Sequence, residues 1–434
     1  MTLKRMSCIN LQVKFIVFFW RSCMELRRMM KSYVNVVIFG LSISAIIFST
    51  AHAADWPNYR GSNYDGISSE TGWAATWPEE GPKVLWKYSL GTGFASMAVS
   101  NGKVYAMGNI DDKDILYCLD AAAGKEIWKT SYPCPLYKKD HEGGPCATPT
   151  IDGDAVYTFS KNGDAIRFKS ATGEIVWHKN LNKELGLEFP TWYFAGSPFI
   201  AGDLVIYNAG TYGIALKKAD GSPAWQSGKG ACGYTTAVPF EIGGQKGVAM
   251  AVCQELVGLN PATGKVMWKF PWKTSYDINA ADAIVSGDTV FISSGYNKGC
   301  ALVKISGDNV TKIWQNKNMR NQINCSVLWE GHIYGFDGQV DGGGKLMCLD
   351  LATGEKKWSQ GGMGTGSLMI ADGKLVILGE KGKLVIAAAS PEGFKELASA
   401  EILTGKCWTV PVLANGRIYA RNAEGQLVCV DVRG

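Results

Sequence analysis

The sequence predicts an all-β fold: an eight-bladed β-propeller of four-stranded antiparallel blades, its ring closed by pairing an N-terminal strand with the C-terminal one. Three observations predict it. A tryptophan recurs at a nearly constant interval along the chain. A glycine stands four positions before most copies of it. The two ends of the chain carry complementary parts of one further repeat.

The recurring residues are Trp86, Trp128, Trp177, Trp225, Trp268, Trp314 and Trp358, separated by 42, 49, 48, 43, 46 and 44 residues. Intervals of this size mark repeat architectures, in which each unit buries its apolar face only against its neighbours. Gly124, Gly173, Gly221, Gly264 and Gly354 precede five of the tryptophans by four positions; Val310 holds that place before Trp314, after a looser Gly307-Asp308-Asn309 turn. The fullest copies run from Cys118 to Trp128 and from Cys348 to Trp358, and Leu259 to Trp268 matches them closely. Each reads as strand, tight turn, strand: Asp or Asn opens the turn and Gly supplies the positive φ it needs. Upstream lies a second strand pair of the form Gly-x-Val-Tyr, seen at Gly102–Tyr105, Asp154–Tyr157, Asp288–Phe291 and Gly416–Tyr419. Four strands per 40–50 residues, with alternating apolar positions and no amphipathic helix, describe a propeller blade.

An eighth copy, Ala388 to Leu397, keeps Gly393 four before the anchor but has Leu397 in place of tryptophan. The chain ends on Gln426–Asp431, a third strand without a fourth, while Val84-Leu85-Trp86-Lys87 is a fourth strand without a third. Pairing them closes the ring and removes sheet edges open to aggregation. The expected organisation is a signal peptide over 1–53, a lead-in over 54–83 and the propeller over 84–434.

The leader reading rests on Lys31, the apolar run Val34–Phe48 and the small-residue site Ala51-His52-Ala53, the three parts of a secretory signal cleaved after Ala53. The run spans about 15 residues, short of the ~20 a membrane-spanning helix needs, so no stable membrane span is expected after cleavage. A start at Met29 or Met30 would give a leader of normal length. No Cys follows the cleavage site, which gives no support to a lipid anchor. The expected location is periplasmic or secreted.

Charge argues in the same direction. The whole chain carries 44 Lys and Arg against 39 Asp and Glu, but seven of the basic residues and one acidic residue lie in 1–53. The mature part, 37 basic to 38 acidic, lacks the basic surface that a nucleic-acid partner requires. Ten cysteines remain after the leader, an even number that permits disulfides in an exported protein. Cys134 and Cys146, which bracket one insertion, are the expected local bridge, and Cys118, Cys348 and Cys429, which share one repeat frame, are expected to face the core. His141, His178 and His332 fall in unrelated repeats, so a multi-histidine metal site is not expected. Gly342-Gly343-Gly344-Lys345 lacks the spacing of a phosphate loop and reads as a hairpin loop.

The repeated Leu-Asp-x-x-Thr-Gly-x-x-x-Trp resembles the tryptophan-docking motif of the pyrroloquinoline-quinone (PQQ) repeat family. The resemblance covers nearly all of 54–434, and Asp55-Trp56-Pro57-Asn58-Tyr59-Arg60-Gly61 is similar to the lead-in of many secreted bacterial members. The resemblance implies one of two functions. BamB-like assembly proteins of the family bind no cofactor and present a protein-binding surface. Others are quinone-dependent alcohol dehydrogenases, which implies PQQ, Ca²⁺ and an alcohol or sugar substrate. Those dehydrogenases carry two adjacent cysteines against the quinone and are longer; this chain has no Cys-Cys pair and no Cys-x-x-Cys-His haem motif. Fold alone does not choose between the two.

The segments preceding the Gly-x-Val-Tyr elements, expected to be the innermost strands that line the central channel, are polar and aromatic, as a concave binding site requires: Trp192–Phe194, Cys232–Thr235, Tyr276–Asp282, Asn321–Cys325 and Lys406–Trp408. Trp192, Tyr234, Asn324 and Trp408 are the candidate funnel residues for a cofactor or other ligand. Asp277, Asn279 and Asp282 are the candidate oxygen ligands for a hard cation, and Asp277 or Asp282 the candidate base for alcohol oxidation. The reading favoured is an exported binding or scaffolding module that holds a protein or small molecule in the funnel; the alternative is the PQQ-dependent dehydrogenase.

Overall fold

The computed structural model describes residues 55–433, except 140 and 341; the leader region lies outside the described residues. It is an all-β ring of eight sheets. Blades 1 to 7 cover 98–133, 150–180, 199–226, 238–271, 284–316, 327–360 and 367–401, each four antiparallel strands in sequence order from the channel outward. Blade 8 joins Val412–Ala414, Arg417–Arg421 and Gln426–Asp431 to the N-terminal strand Val84–Ser89. The expected closure is present: Val84 pairs with Val430, Trp86 with Cys429 and Ser89 with Gln426. Truncation after Glu424 removes the strand on which Val84–Ser89 depends. It is expected to abolish the cooperative thermal melt followed by circular dichroism; a melt near that of the full chain would mean that the ring closes without this pairing.

The tryptophans explain why the blades stack. Each sits on the outermost strand of its blade and lies against the turn of the next blade. The indole N–H groups of Trp86, Trp128, Trp177, Trp225, Trp314 and Trp358 donate to the carbonyls of Ala121, Ser170, Lys218, Pro261, Leu351 and Ser390, at 2.8–3.1 Å. Glycine is required where the ring lands. Gly124, Gly173, Gly221, Gly264 and Gly354 have φ between 67° and 75°, and a Cβ on any of them would fall within 2.8 Å of the preceding blade's indole. The looser turn of blade 5 has the matching consequence: Trp268, which would dock there, has a buried indole N–H without a partner. Cys118, Cys348 and Cys429 are fully buried and stand directly across the strand pair from Trp128, Trp358 and Trp86.

Two expectations are corrected. Cys134 and Cys146 are both free thiols: Cys134 is buried in the core shared by blades 1 and 2 and takes a hydrogen bond from Asn162, whereas Cys146 lines the central funnel. The channel-lining segments are also not the innermost strands. Those strands are short and lie further along, for example Phe199–Ala201 and Ile284–Ser286. The polar segments are the irregular stretches leading into them. Among the described residues there is one short α-helix, Leu181–Leu185, capped by Asn180.

The lead-in is part of the ring. Trp56 exchanges two backbone hydrogen bonds of 2.8 Å with Val99 of blade 1, and the Pro57 carbonyl accepts from Ile151 of blade 2. Tyr64 packs on Phe199 of blade 3, ring centroids 4.8 Å apart. Ile67–Ser68 adds a parallel fifth strand to blade 7, and the Glu70 carboxylate accepts from the backbone N–H groups of Asn415 and Gly416 in blade 8. The segment thus crosses the inner strands and plugs the channel from one side.

Candidate functional site

With the lead-in beneath it, the channel becomes a blind funnel containing a cavity of about 330 Å³. Around it runs a belt of small side chains, one at the start of each inner strand, Ser96, Thr148, Ser197, Thr236, Asp282, Cys325 and Ser367, with Val410 at the eighth place; Ser96, Ser197, Thr236, Asp282 and Val410 line the cavity. The belt is held by bonds from blade to blade. The backbone N–H of Ser96 donates to Thr148 Oγ1, that of Thr148 to Ser197 Oγ, and that of Ser197 to Thr236 Oγ1, at 2.9–3.0 Å. Thr236 N–H then donates to Asp282 Oδ1 at 2.8 Å, and Asp282 N–H to Cys325 Sγ at 3.1 Å. The Asn324 amide donates to the Gly366 carbonyl, Ser367 Oγ to the Thr409 carbonyl, Thr409 Oγ1 to Phe94 and Ser96 Oγ to Val410, which completes the circuit. Asp282 is therefore a carboxylate in a place where most blades put a hydroxyl.

Beneath Asp282 lies the lead-in. Tyr59 lines the cavity, its hydroxyl 3.6 Å from Cys325 Sγ. Arg60 is buried, donating to the carbonyls of Tyr64, Asp65 and Ser326 at 3.0–3.2 Å, while its Nη1 has no partner. Burial pushes the Asp282 carboxyl up to about 6, against the opposing pull of Arg60 and the Thr236 N–H. Burial likewise raises the Tyr59 hydroxyl and the Cys325 thiol, so both are protonated at neutral pH.

Above the belt the funnel is aromatic. Trp408 stacks on Phe94 at 5.5 Å and 25°, Phe94 meets His141 edge-on at 5.4 Å, and His141 lies 5.8 Å from Trp192. Lys406 sits over Trp408 and Lys139 over Trp192; Lys406 is paired with Glu142 at 2.9 Å. Tyr276 is 73% exposed and meets Tyr296, which lines the cavity, edge-on at 5.7 Å. Tyr276 and Asp277 both have positive φ, 65° and 54°, uncommon for residues with side chains.

The structure brings Trp192, Tyr234, Asn324, Trp408 and Asp282 to this one cavity. It does not bring Asp277, Asn279 and Asp282 to a common point. The Asn279 amide donates to the carbonyls of Val252, Cys253 and Trp272 and its oxygen accepts from Ser294, so its ligand capacity is taken up by blades 4 and 5. Asp277 stands outside the cavity lining. Among the described residues no three His, Cys, Asp or Glu side chains are grouped to hold a metal ion, and no helix is long and apolar enough to cross a membrane.

Sequence reasoning missed the belt and the plug. A signal for the belt was present: Ser96, Thr148, Asp282 and Cys325 each stand nine residues before the aromatic of the following Gly-x-Val-Tyr element, at Tyr105, Tyr157, Phe291 and Tyr334.

Solved structures of this shape include the BamB of Moraxella catarrhalis, with a TM-score of 0.59 and 14% identity over 81% of this chain and 100% of that one. The quinohemoprotein alcohol dehydrogenase of Comamonas testosteroni superimposes with a TM-score of 0.62 at 13% identity, over 89% of this chain and 82% of that one. At such identities these likenesses establish the fold alone. A curated relative, the outer membrane protein assembly factor BamB of Yersinia pestis, is 22% identical over 358 residues, covering 80% of this chain and 77% of that protein. The family model described as outer membrane protein assembly factor BamB matches residues 65–188 and 136–360, and the chain belongs to that family of PQQ-repeat propellers.

Proposed function

We propose that this protein is an exported, non-catalytic binding module that holds a protein partner at the funnel mouth and serves the assembly of outer-membrane proteins. The observation that carries the reading is the mouth itself. Tyr276 is held out into solvent on two successive residues of left-handed backbone, against Tyr296 of the cavity lining. Strained backbone persists where the surroundings impose it and clusters at functional positions, and exposed Tyr and Trp side chains carry a large share of the energy of protein interfaces. The relatives named above as assembly factors support the same role, and the sequence-predicted leader supports export.

The residues do not fit PQQ with calcium. A quinone bearing three carboxylates needs cationic partners and a flat aromatic floor. Among the described residues the cavity lining holds no Lys or Arg, and its floor presents Tyr59 and the Asp282 carboxylate. No oxygen cage forms around Asp277, Asn279 and Asp282.

The test is genetic complementation in the native host. Loss of the gene is expected to lower the amount of folded outer-membrane protein, measured by heat-modifiable mobility on gels. The wild-type gene should restore it, whereas Tyr276→Asp or Trp192→Ala, expressed at equal level and melting normally, should restore less than half. Full complementation by both variants would overturn the role of the mouth, and an unchanged outer membrane on gene loss would overturn the assembly reading.

A further inference from the structure

We propose that the floor of the funnel is a binding site for a small organic cation, an alkylammonium or guanidinium compound, held by Asp282 and enclosed by aromatic rings. The inference concerns the floor rather than the rim and stands or falls separately from the protein-binding reading.

The first argument is an inventory of unengaged groups. The belt hydroxyls are used on one another: those of Ser96 and Thr409 donate to neighbouring carbonyls, and those of Thr148, Ser197 and Thr236 accept neighbouring N–H groups. Gln322 is engaged at both ends, donating to Tyr296 and accepting from Val340. Two acceptor atoms remain. Asp282 gives Oδ1 to Thr236 N–H, and no hydrogen bond among the described residues takes its Oδ2. The Asn324 amide donates to the Gly366 carbonyl, which leaves its oxygen without a described partner. Both residues line the cavity, so the floor offers two open acceptors to a ligand that donates.

The second argument is charge. Among the described residues Asp282 is the only Asp or Glu of the cavity lining, and no described Lys or Arg of that lining neutralises it. Arg60 is near enough to be felt, but no ion pair joins it to Asp282 among the described residues. Its guanidinium is held by three carbonyls, and its remaining Nη1 is sealed from solvent. The carboxyl is raised to about 6 because burial outweighs Arg60 and the Thr236 N–H together. An under-compensated buried carboxylate gains from an added cation, since charge-assisted hydrogen bonds strengthen in a low-dielectric site.

The third argument is the wall. Tyr59, Phe94, Trp192, Tyr234, Tyr296 and Trp408 all line the cavity, and aromatic faces attract cations, most of all desolvated ones. The volume of about 330 Å³ lies at the lower end of the range of small-molecule sites, which suits a compact ligand. Two of the rings already carry a lysine, Lys406 (paired with Glu142) over Trp408 and Lys139 over Trp192, so the aromatic attraction left to a ligand rests on Tyr59, Phe94, Tyr234 and Tyr296.

The test uses the mature wild-type protein and Asp282→Ser. Serine is the residue that the belt carries at positions 96, 197 and 367, so the variant keeps an acceptor for Thr236 N–H and is expected to fold. Agmatine is titrated by calorimetry and by tryptophan fluorescence, which Trp192 and Trp408 report directly, with glucose and PQQ as neutral and anionic controls. Saturable agmatine binding is expected, weakened at least roughly tenfold in Asp282→Ser, as loss of one charge-assisted hydrogen bond implies. Affinity in the wild type is expected to fall as pH drops through about 6, where Asp282 takes up a proton. The groups facing Asp282 are Arg60 and Tyr59 from the lead-in, Cys325 from blade 6 and the Thr236 N–H from blade 4. His141, on the far wall, also meets the cavity, so the decisive comparison is that Asp282→Ser loses this pH dependence. Absence of agmatine binding by folded wild-type protein, equal binding by the variant, or preferential binding of glucose or PQQ would each overturn the proposal. None of these outcomes touches the complementation result at the mouth.

Discussion

Gly264→Val is expected to destabilise the protein by about 3 kcal/mol or more, whereas Gly393→Ala, at the same repeat position of blade 7, is expected to change stability by less than about 0.5 kcal/mol. Two costs add at Gly264. Its φ is 70°, where a residue with a Cβ loses roughly 1–2 kcal/mol and a β-branched one more. That Cβ would also stand 2.4 Å from Trp225 Cε3, and overpacking of this kind costs about 1–3 kcal/mol. The indole has little room to retreat, because its N–H is anchored on the Pro261 carbonyl. At Gly393 nothing lies within 4 Å of an added Cβ. Chemical denaturation of the two variants checks the pair. Equal losses would mean that neither the positive φ nor the indole contact of Gly264 sets the cost; a large loss confined to Gly264→Val is the expected result of losing both, since Gly393 has neither.

The same docking explains what was legible in the sequence. A tryptophan that must land on a glycine of the next blade fixes both residues and their spacing at once, so the repeat survives even where the strands between vary. Blade number and ring closure followed from that constraint. The degenerate copy ending in Leu397 was recognisable because the turn kept its glycine. The site was harder to read because it is assembled from irregular segments, one or two residues from each blade, with no local period. Tyr234, Trp192, Asn324 and Trp408 were found by their polar and aromatic character. Asn279 shared that character, yet its amide ties the carbonyls of Val252, Cys253 and Trp272. Composition does not separate a side chain that faces the funnel from one that bridges backbone behind it. Tyr59 and Arg60 carried no signal of either kind, since nothing local says that an N-terminal lead-in will cross the axis. The Cys134–Cys146 expectation failed for a related reason: bracketing one loop says nothing about which way two side chains point.

Asp282→Asn is expected to make the folded protein more stable at pH 7.5, by on the order of 1–3 kcal/mol, with the gain disappearing toward pH 4. The sign follows from linkage. In the folded protein the carboxyl titrates at about 6, above the ~3.9 of an exposed aspartate. The folded state therefore holds the proton more tightly than the unfolded chain does. As pH rises from about 4 to 6, stability drains away through this group, and above 6 the whole penalty of keeping a buried carboxylate is present. A separation of about two units corresponds to about 3 kcal/mol, an upper figure because the asparagine amide must find its own partners. Asn keeps an oxygen for the Thr236 N–H, so the belt is preserved. Asp114, also raised to about 6 by burial, gives wild type and variant the same background slope, and only their difference across pH, measured by urea denaturation, belongs to Asp282. A variant less stable than wild type at pH 7.5 would show that Arg60 compensates the carboxylate in full, and would remove the electrostatic basis for a cation at the floor. A variant more stable at neutral pH would show that the fold carries this carboxylate at a cost where serine and threonine serve the other blades. A charged group held against the interest of stability is what a binding site requires, and Asp282 would then be the residue around which the funnel's ligand is chosen.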